Sequence, residues 1–282
     1  MDGTSVGSQY AEHVTEADLR LLTAVTGRTP GPEALPGVLA EPQVFEAIFG
    51  PGATPAGQAV LASPFLAFAV AVQRATADLA TMGYVPERSL ARQRVPVFDA
   101  PALRDFLGSE DRRLFLTELL TSFTRVASGR YRVTVGGRSR TRRFSELDPI
   151  RLAGLLDAVP EDSRPGVYRR LGDVALFLSG VFPDYVANRM FGPVNVARLL
   201  RAAHVPTPDR ERLAATPDLE LLEHLGARWY RSALALAPVQ TGRLAVVAEV
   251  ADQFRQARRV LNHIADRYLI GPDNPWLAVP GP

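Results

Sequence analysis

The chain contains no lysine and no cysteine, so all 32 of its basic side chains are arginine, set against 30 acidic ones. Without cysteine there can be no disulfide, no thiolate nucleophile, no iron–sulfur cluster and no cysteine-containing zinc site. Without lysine, Schiff-base and pyridoxal-phosphate chemistry are excluded, as are the phosphate-binding lysines of P-loop proteins and protein kinases. Histidine is scarce as well. His13, His204, His224 and His263 are the only four, no two fall within a helical turn, and no H-E-x-x-H pattern occurs, so no metal site is expected. The chain also lacks a G-x-G-x-x-G opening a helix and a G-x-S-x-G nucleophile elbow, so no cofactor is expected and a hydrolase triad has no support.

Long hydrophobic runs are missing too. The stretch from Ala59 to Val72 is apolar apart from Ser63 and Pro64, but Gln73 and Arg74 end it well short of the roughly 20 residues a membrane span needs. Val174 to Phe182 is shorter still. Both read as buried helices, and no membrane span is expected. The N-terminal residues show no basic segment followed by an apolar one, which makes the cytoplasm the default location. What is present, 46% apolar and 22% charged residues, is the composition of an ordinary globular protein.

The net charge is only +2 although the isoelectric point is about 9.2. Arginine explains the gap, because guanidinium does not titrate below about pH 12. The distribution of charge is more informative than the total. From Leu119 to Ser145 there is no Asp or Glu, while Arg125, Arg130, Arg132, Arg138, Arg140, Arg142 and Arg143 give the segment +7. The remainder holds 25 arginines against 30 acids, a net of −5.

Helix starts recur along the chain. Ser63-Pro64, Asp148-Pro149, Thr207-Pro208 and Thr216-Pro217 each set a capping side chain before a proline at the first helical position. Thr15 with Asp18 forms a capping-box pattern, and Gly27 stands where a left-handed residue would close the helix. Apolar periodicity predicts helices at 15–26, 42–49, 64–82, 100–107, 110–125, 149–158, 164–180, 193–203, 208–214, 217–236 and 242–269. The expected fold is mainly α: a single helical domain over 1–270, a candidate subdivision near 85–101, and a proline-rich tail at 271–282 in which Trp276 clips back onto the body.

One segment breaks the helical pattern. Arg130 to Val135 alternates, Gly136-Gly137 suits a tight turn, and Arg138 to Phe144 returns, which predicts an inserted β-hairpin at 130–144. Tyr131, Val133 and Val135 are expected to face the protein. Arg130 and Arg132 then point outward with alternate arginines of the second strand, making one strongly cationic surface. Arg130, Arg132, Arg138, Arg140, Arg142 and Arg143 are thus the candidate anion- or partner-binding residues, with Tyr131 or Phe144 free to stack on bases. The opposing reading is that these arginines pair with the acidic remainder of the chain. A wing beside a recognition helix is disfavoured, because the preceding helix carries Leu114, Phe115, Leu116, Leu119, Leu120 and Phe123.

A second candidate centres on Asp173, the only charge between Arg170 and Asp184. It reads either as a general base in an inter-helical pocket with Tyr168, Tyr185, His224 and Arg228, or as half of an ion pair with Arg169, Arg170 or a more distant arginine, the commoner fate of a buried carboxylate. Gly172 and Gly180 read as points of close helix contact. The row His224, Arg228, Arg231 could hold an anion, or Arg228 and Arg231 could pair with Glu220 and Glu223.

The segment Arg170-Leu171-Gly172-Asp173 through Leu176-Phe177-Leu178-Ser179-Gly180-Val181-Phe182, followed by Gly226 to Tyr230 with a Gly-x-x-x-Tyr spacing, resembles a group of uncharacterised helical proteins from bacteria. The resemblance implies a helical, bacterial, cytoplasmic protein and brings no site residues. Complete replacement of lysine by arginine fits a GC-rich genome. The sequence therefore leads to a non-catalytic binding or adaptor protein that engages an acidic protein or nucleic acid through the arginine hairpin, with an enzyme built around Asp173 as the alternative.

Overall fold

In the computed structural model the described residues are 5–50, 62–88, 94–135, 138–188, 190–237 and 242–270. The Gly136-Gly137 turn, the side chains of Val133, Val135 and Arg138, and the tail with Trp276 lie outside them. The protein is mainly α-helical, as the periodicity predicts. Where a single domain is expected, its contacts divide into two compact units. The first comprises Met1–Glu87, Val95–Thr124 and Arg259–Pro282, the second Arg88–Arg94 and Arg125–Arg258. Two of the chain's passages between them fall at Glu87–Arg88 and Arg94–Val95.

The first unit contains helices α1 (Val6–His13), α2 (Glu16–Thr26), α3 (Leu35–Leu39), α4 (Pro42–Phe49) and α5 (Pro64–Thr81), strands β1 (Val85–Arg88) and β2 (Arg94–Val97) apart from Arg88 and Arg94, and helices α6 (Ala100–Leu107) and α7 (Glu110–Ser122). Its core is α5, buried without a break from Phe65 to Gln73 and packed against α4, α6 and α7. A helix apolar on every side must be surrounded, which is why the longest apolar run of the chain lies here. Asp18 is fully buried, yet its carboxylate accepts from the Thr15 amide at 2.9 Å, the Thr15 hydroxyl at 2.8 Å and the Ser63 amide at 2.7 Å. One side chain thus completes the α2 capping box and ties it to the start of α5, and Gly27 closes α2 at φ 72°.

Strands β1 and β2 form a second ribbon that periodicity misses, because Pro86 and Pro96 interrupt the strand pattern. Proline lacks the ladder N–H but is tolerated where a strand edge is unpaired, as in a two-stranded ribbon. Helices α1 and α3 are also absent from the periodicity reading.

The second unit contains strands β3 (Ser128–Val135) and β4 (Arg138–Ser145), then helices α8 (Pro149–Ala153), α9 (Arg164–Val181), α10 (Pro183–Ala187), α11 (Pro193–Ala202), α12 (Thr207–Ala214), α13 (Asp218–Leu236) and α14 (Gly242–Asp252). The final helix α15 (Phe254–Ile264) belongs to this unit up to Arg258 and to the first from Arg259 onward. The continuous helix expected over 242–269 is therefore broken at Gln253, and it finishes as a π-helical turn over Ala265–Leu269. The helix expected over 149–158 tightens to 3₁₀ geometry from Gly154 to Asp157. Ser63 and Asp148 cap as expected, but Thr207 and Thr216 do not. Pro206 and Pro217 occupy the cap positions with extended backbone, and the Thr216 hydroxyl donates backward to the Leu213 carbonyl at 2.7 Å.

Helices α9 and α13 make the most extensive helix–helix contact among the described residues. Small residues allow it. A Cβ at Gly172 would stand 2.4 Å from the Tyr230 ring, and one at Gly226 would stand 2.3 Å from Phe254 and 2.9 Å from Ala175. Tyr230 rests on Gly172, and its hydroxyl donates to Asp173 at 2.9 Å. The Gly-x-x-x-Tyr spacing of Gly226 and Tyr230 is thus a packing device.

Two outcomes follow. Gly172→Ala and Gly226→Ala should each lower stability by about 1–3 kcal/mol through overpacking, read as a shift in the urea midpoint at unchanged slope. His263, buried in the first unit with Nε2 unbonded, has its pKa lowered by burial first and Arg267 second, while Asp78 opposes. The unfolded chain takes up that proton near pH 6.5, before the folded one does. The stability contribution is therefore complete above about pH 6.5 and is lost as the pH falls toward the folded value. Unfolding of His263→Gln followed from pH 7.5 to 5.5 should show a flatter pH dependence than the parent.

Candidate functional site

The hairpin register decides which arginines share a face. Arg130 lies opposite Arg143, Tyr131 opposite Arg142, Arg132 opposite Thr141 and Val133 opposite Arg140. Directly opposed residues share a face, and alternation carries each face along the strand. The single cationic surface expected from alternation is therefore two. Arg130, Arg132 and Arg143 occupy one face, whereas Arg142 and Arg140 lie on the Tyr131 face. Arg138 is paired in register with Val135, but its side chain lies outside the described residues.

Tyr131 does face the protein, since a Cβ at Gly154 would stand 2.8 Å from its hydroxyl. Phe144 covers Gly129, whose Cβ would stand 2.8 Å from the ring. Both aromatics expected to be free for stacking are thus used in the unit's own packing. Arg130, Arg132, Arg140 and Arg143 are exposed, Arg142 is half-buried, and none of the five makes an ion pair or hydrogen bond among the described residues. Arginines elsewhere in the same unit behave otherwise: Arg169 pairs with Asp173, Arg170 with Glu146, Arg231 with Asp252, and both Arg255 and Arg258 with Glu223. These carboxylates are held by arginines of the helices and not by those of the hairpin.

Because Tyr131 seats the hairpin against Gly154, Arg142 opposite it reaches a cleft of about 590 Å³. Its other walls are the α8 segment with Ile150 and Asp157, the first turns of α9 with Arg164 and Tyr168, and the end of α11 with Arg198, Arg201 and His204. Tyr168 is buried, and its hydroxyl lies 2.8 Å from His204 Nε2. Burial raises the phenol pKa above 10, against the opposing pull of Arg164, so the proton stays on Tyr168 at neutral pH. His204 is the one non-glycine residue with positive φ, 52°, among the described residues. Arg228 holds it there by donating to the carbonyls of Ala203 and His204.

The residues grouped around Asp173 do not form one site. Asp173 accepts from Arg169 Nε and from the Tyr230 hydroxyl, each at 2.9 Å, so its carboxylate is committed to an ion pair within α9 and a hydrogen bond from α13. Tyr168 stands five residues earlier, about 140° around the helix, and so faces the cleft. Tyr185 is 62% exposed on α10. His224 is exposed on α13, its pKa lowered by partial burial and then by Arg228, Arg212 and Arg231. Tyr168 and Arg228 do come together, at His204. The pairing of Glu220 and Glu223 with Arg228 and Arg231 does not form: Glu223 is held by α15 and Arg231 by Asp252 and the Ala251 carbonyl.

Among the described residues no group of three or more His, Asp or Glu could hold a metal, and no helix is long and apolar enough to cross a membrane. Comparison with protein-family models, curated proteins and solved structures returns no match for this chain. Sequence reasoning missed Arg164, Arg198 and Arg201. The available signal was spacing: Arg164 and Tyr168 at i,i+4, Arg198 and Arg201 at i,i+3, each pair on one helix face.

Arg228→Ala should cost about 1–2 kcal/mol in a denaturant titration, since two carbonyls at the end of α11 lose a charged donor. His204→Gly in that background should recover part of the loss by relieving the left-handed backbone.

Proposed function

We propose that the protein is a non-catalytic binding protein that engages an acidic partner through the β3–β4 hairpin, and that nucleic acid is the partner it suits best. The observation that carries this reading is the contrast in ion pairing. Five described hairpin arginines have no acidic partner among the described residues, whereas Arg169, Arg170 and Arg231 of the same unit each hold a carboxylate. Arg130 and Arg143 stand directly opposite each other, a like-charge pairing that disfavours the hairpin until an anion sits between them. Arg130 and Arg132, two residues apart on one strand face, are about 6.6 Å apart along the strand, close to the spacing of successive phosphates on an extended strand. With Tyr131 and Phe144 packed, recognition rests on phosphates, so the expected binding is salt-dependent and sequence-tolerant. The same reading places the protein in a bacterial cytoplasm, where nucleic acid is accessible.

The test is titration of a fluorescent single-stranded oligonucleotide across a series of salt concentrations. Affinity should fall steeply with salt, and the slope of log K against log salt should shrink by about 2 when Arg130, Arg132 and Arg143 all become Ala. Absence of binding at low salt would end the nucleic-acid reading. An acidic protein recovered by the parent, but not by the triple variant, would move the partner to that class.

A further inference from the structure

We propose that the cleft between the hairpin, α8, α9 and α11 is a binding site for a phosphomonoester group, separate from the outer hairpin face. Four arginines line it, Arg142, Arg164, Arg198 and Arg201, against one acidic residue, exposed Asp157. Arg142 and Arg198 make no ion pair or hydrogen bond among the described residues. Arg201 donates only to the Ala197 carbonyl of its own helix. Arg164 meets Glu161 at 3.3 Å, but that glutamate side chain is 88% exposed, where such a pair holds little. The four cations repel one another in a concave site that concentrates their field, so an entering anion meets an arrangement built before it arrives.

The charge selects the ligand class. A phosphodiester brings one negative charge, whereas a phosphomonoester near neutral pH brings almost two and three acceptor oxygens for guanidinium forks. The cleft, about 590 Å³, is larger than a phosphate group needs, and Ile150, Ala153 and Leu156 give one wall an apolar surface for whatever carries the phosphate. The Tyr168–His204 pair supplies a polar edge. His204 is held there in a backbone conformation that non-glycine residues avoid, and such local cost concentrates where ligands bind. The phosphate is either that of a free phosphorylated small molecule or the 5′-terminal phosphate of a nucleic-acid strand whose backbone lies on the hairpin. Both present the same group to the same arginines.

Isothermal titration with adenosine 5′-monophosphate and with inorganic phosphate, alongside competition between 5′-phosphorylated and 5′-hydroxyl oligonucleotides, distinguishes the sources. Saturable binding of the monophosphate, weakened at least about tenfold in Arg198→Gln and Arg201→Gln, supports a small-molecule ligand. A preference for the 5′-phosphorylated oligonucleotide that disappears in the same variants supports a strand end. Affinity should rise between pH 5 and 7 as the monoester gains its second charge, and adenosine 3′,5′-cyclic monophosphate, a diester, should bind more weakly. Arg198 is exposed and makes no ion pair or hydrogen bond among the described residues, so its variant should fold normally, checked by circular dichroism. The outer-face variant Arg130→Ala/Arg132→Ala/Arg143→Ala should keep monophosphate binding, so failure of the hairpin reading and failure of this one are separable. The proposal is overturned if neither the monophosphate, nor phosphate, nor the phosphorylated end binds at millimolar concentration. Equal binding of the cyclic diester, or binding unchanged by both arginine substitutions, overturns it as well.

Discussion

The second unit is organised by the contact of α9 with α13, and that contact rests on one buried arrangement: Tyr230 laid over Gly172 with its hydroxyl on Asp173, which also holds Arg169. Removing Arg169 would leave a carboxylate 9% exposed with the Tyr230 hydroxyl in place of an ion-pair partner, an outcome costlier than the absence of any single surface ion pair. Because this interaction sets the rotation of α9, it also sets what the opposite face presents. Arg164 and Tyr168 are turned into the cleft because Arg169 and Asp173 are turned toward α13. Tyr230 itself stays neutral, its pKa raised by burial and by the adjacent Asp173 charge.

Arginine serves two ends in this chain. In the helical body its charge is neutralised at short range, as where Glu223 receives both Arg255 and Arg258, or where Asp78 in the first unit meets both Arg74 and Arg267. On the hairpin and around the neighbouring cleft it is not. A planar donor that remains charged at any physiological pH suits both roles, buried pairing and phosphate recognition, without the pKa drift a buried lysine would show. The near-neutral total therefore conceals both arginines held by carboxylates and, on the hairpin and along the cleft, arginines with no carboxylate partner among the described residues.

Elements governed by local rules are legible along the chain. The capping box of Thr15 and Asp18, the left-handed Gly27, the starts at Ser63 and Asp148 and the hairpin all depend on residues close in sequence. The failures are local too: Pro86 and Pro96 mask β1 and β2, and Pro206 and Pro217 displace the threonines expected to cap α12 and α13. At the site, helical periodicity alone separates Tyr168 from Asp173 by about 140°, which already argues against one pocket holding both. The strand register is equally decisive and less accessible, since the position of the turn determines whether Arg142 accompanies Arg130 or Tyr131.

By itself the sequence determined a mainly helical protein, excluded lysine and cysteine chemistry, and located the acid-free arginine segment. These follow from composition and from short periodicities, which act between neighbours along the chain. Only the tertiary structure decided that Arg142, Arg164, Arg198 and Arg201 meet, that Arg228 pins His204 beside Tyr168, and that Asp173 closes an ion pair rather than a pocket. Those outcomes depend on how far α9 and α11 approach the hairpin. That distance is set by the packing of glycines and aromatics on elements widely separated in sequence, which no local pattern encodes.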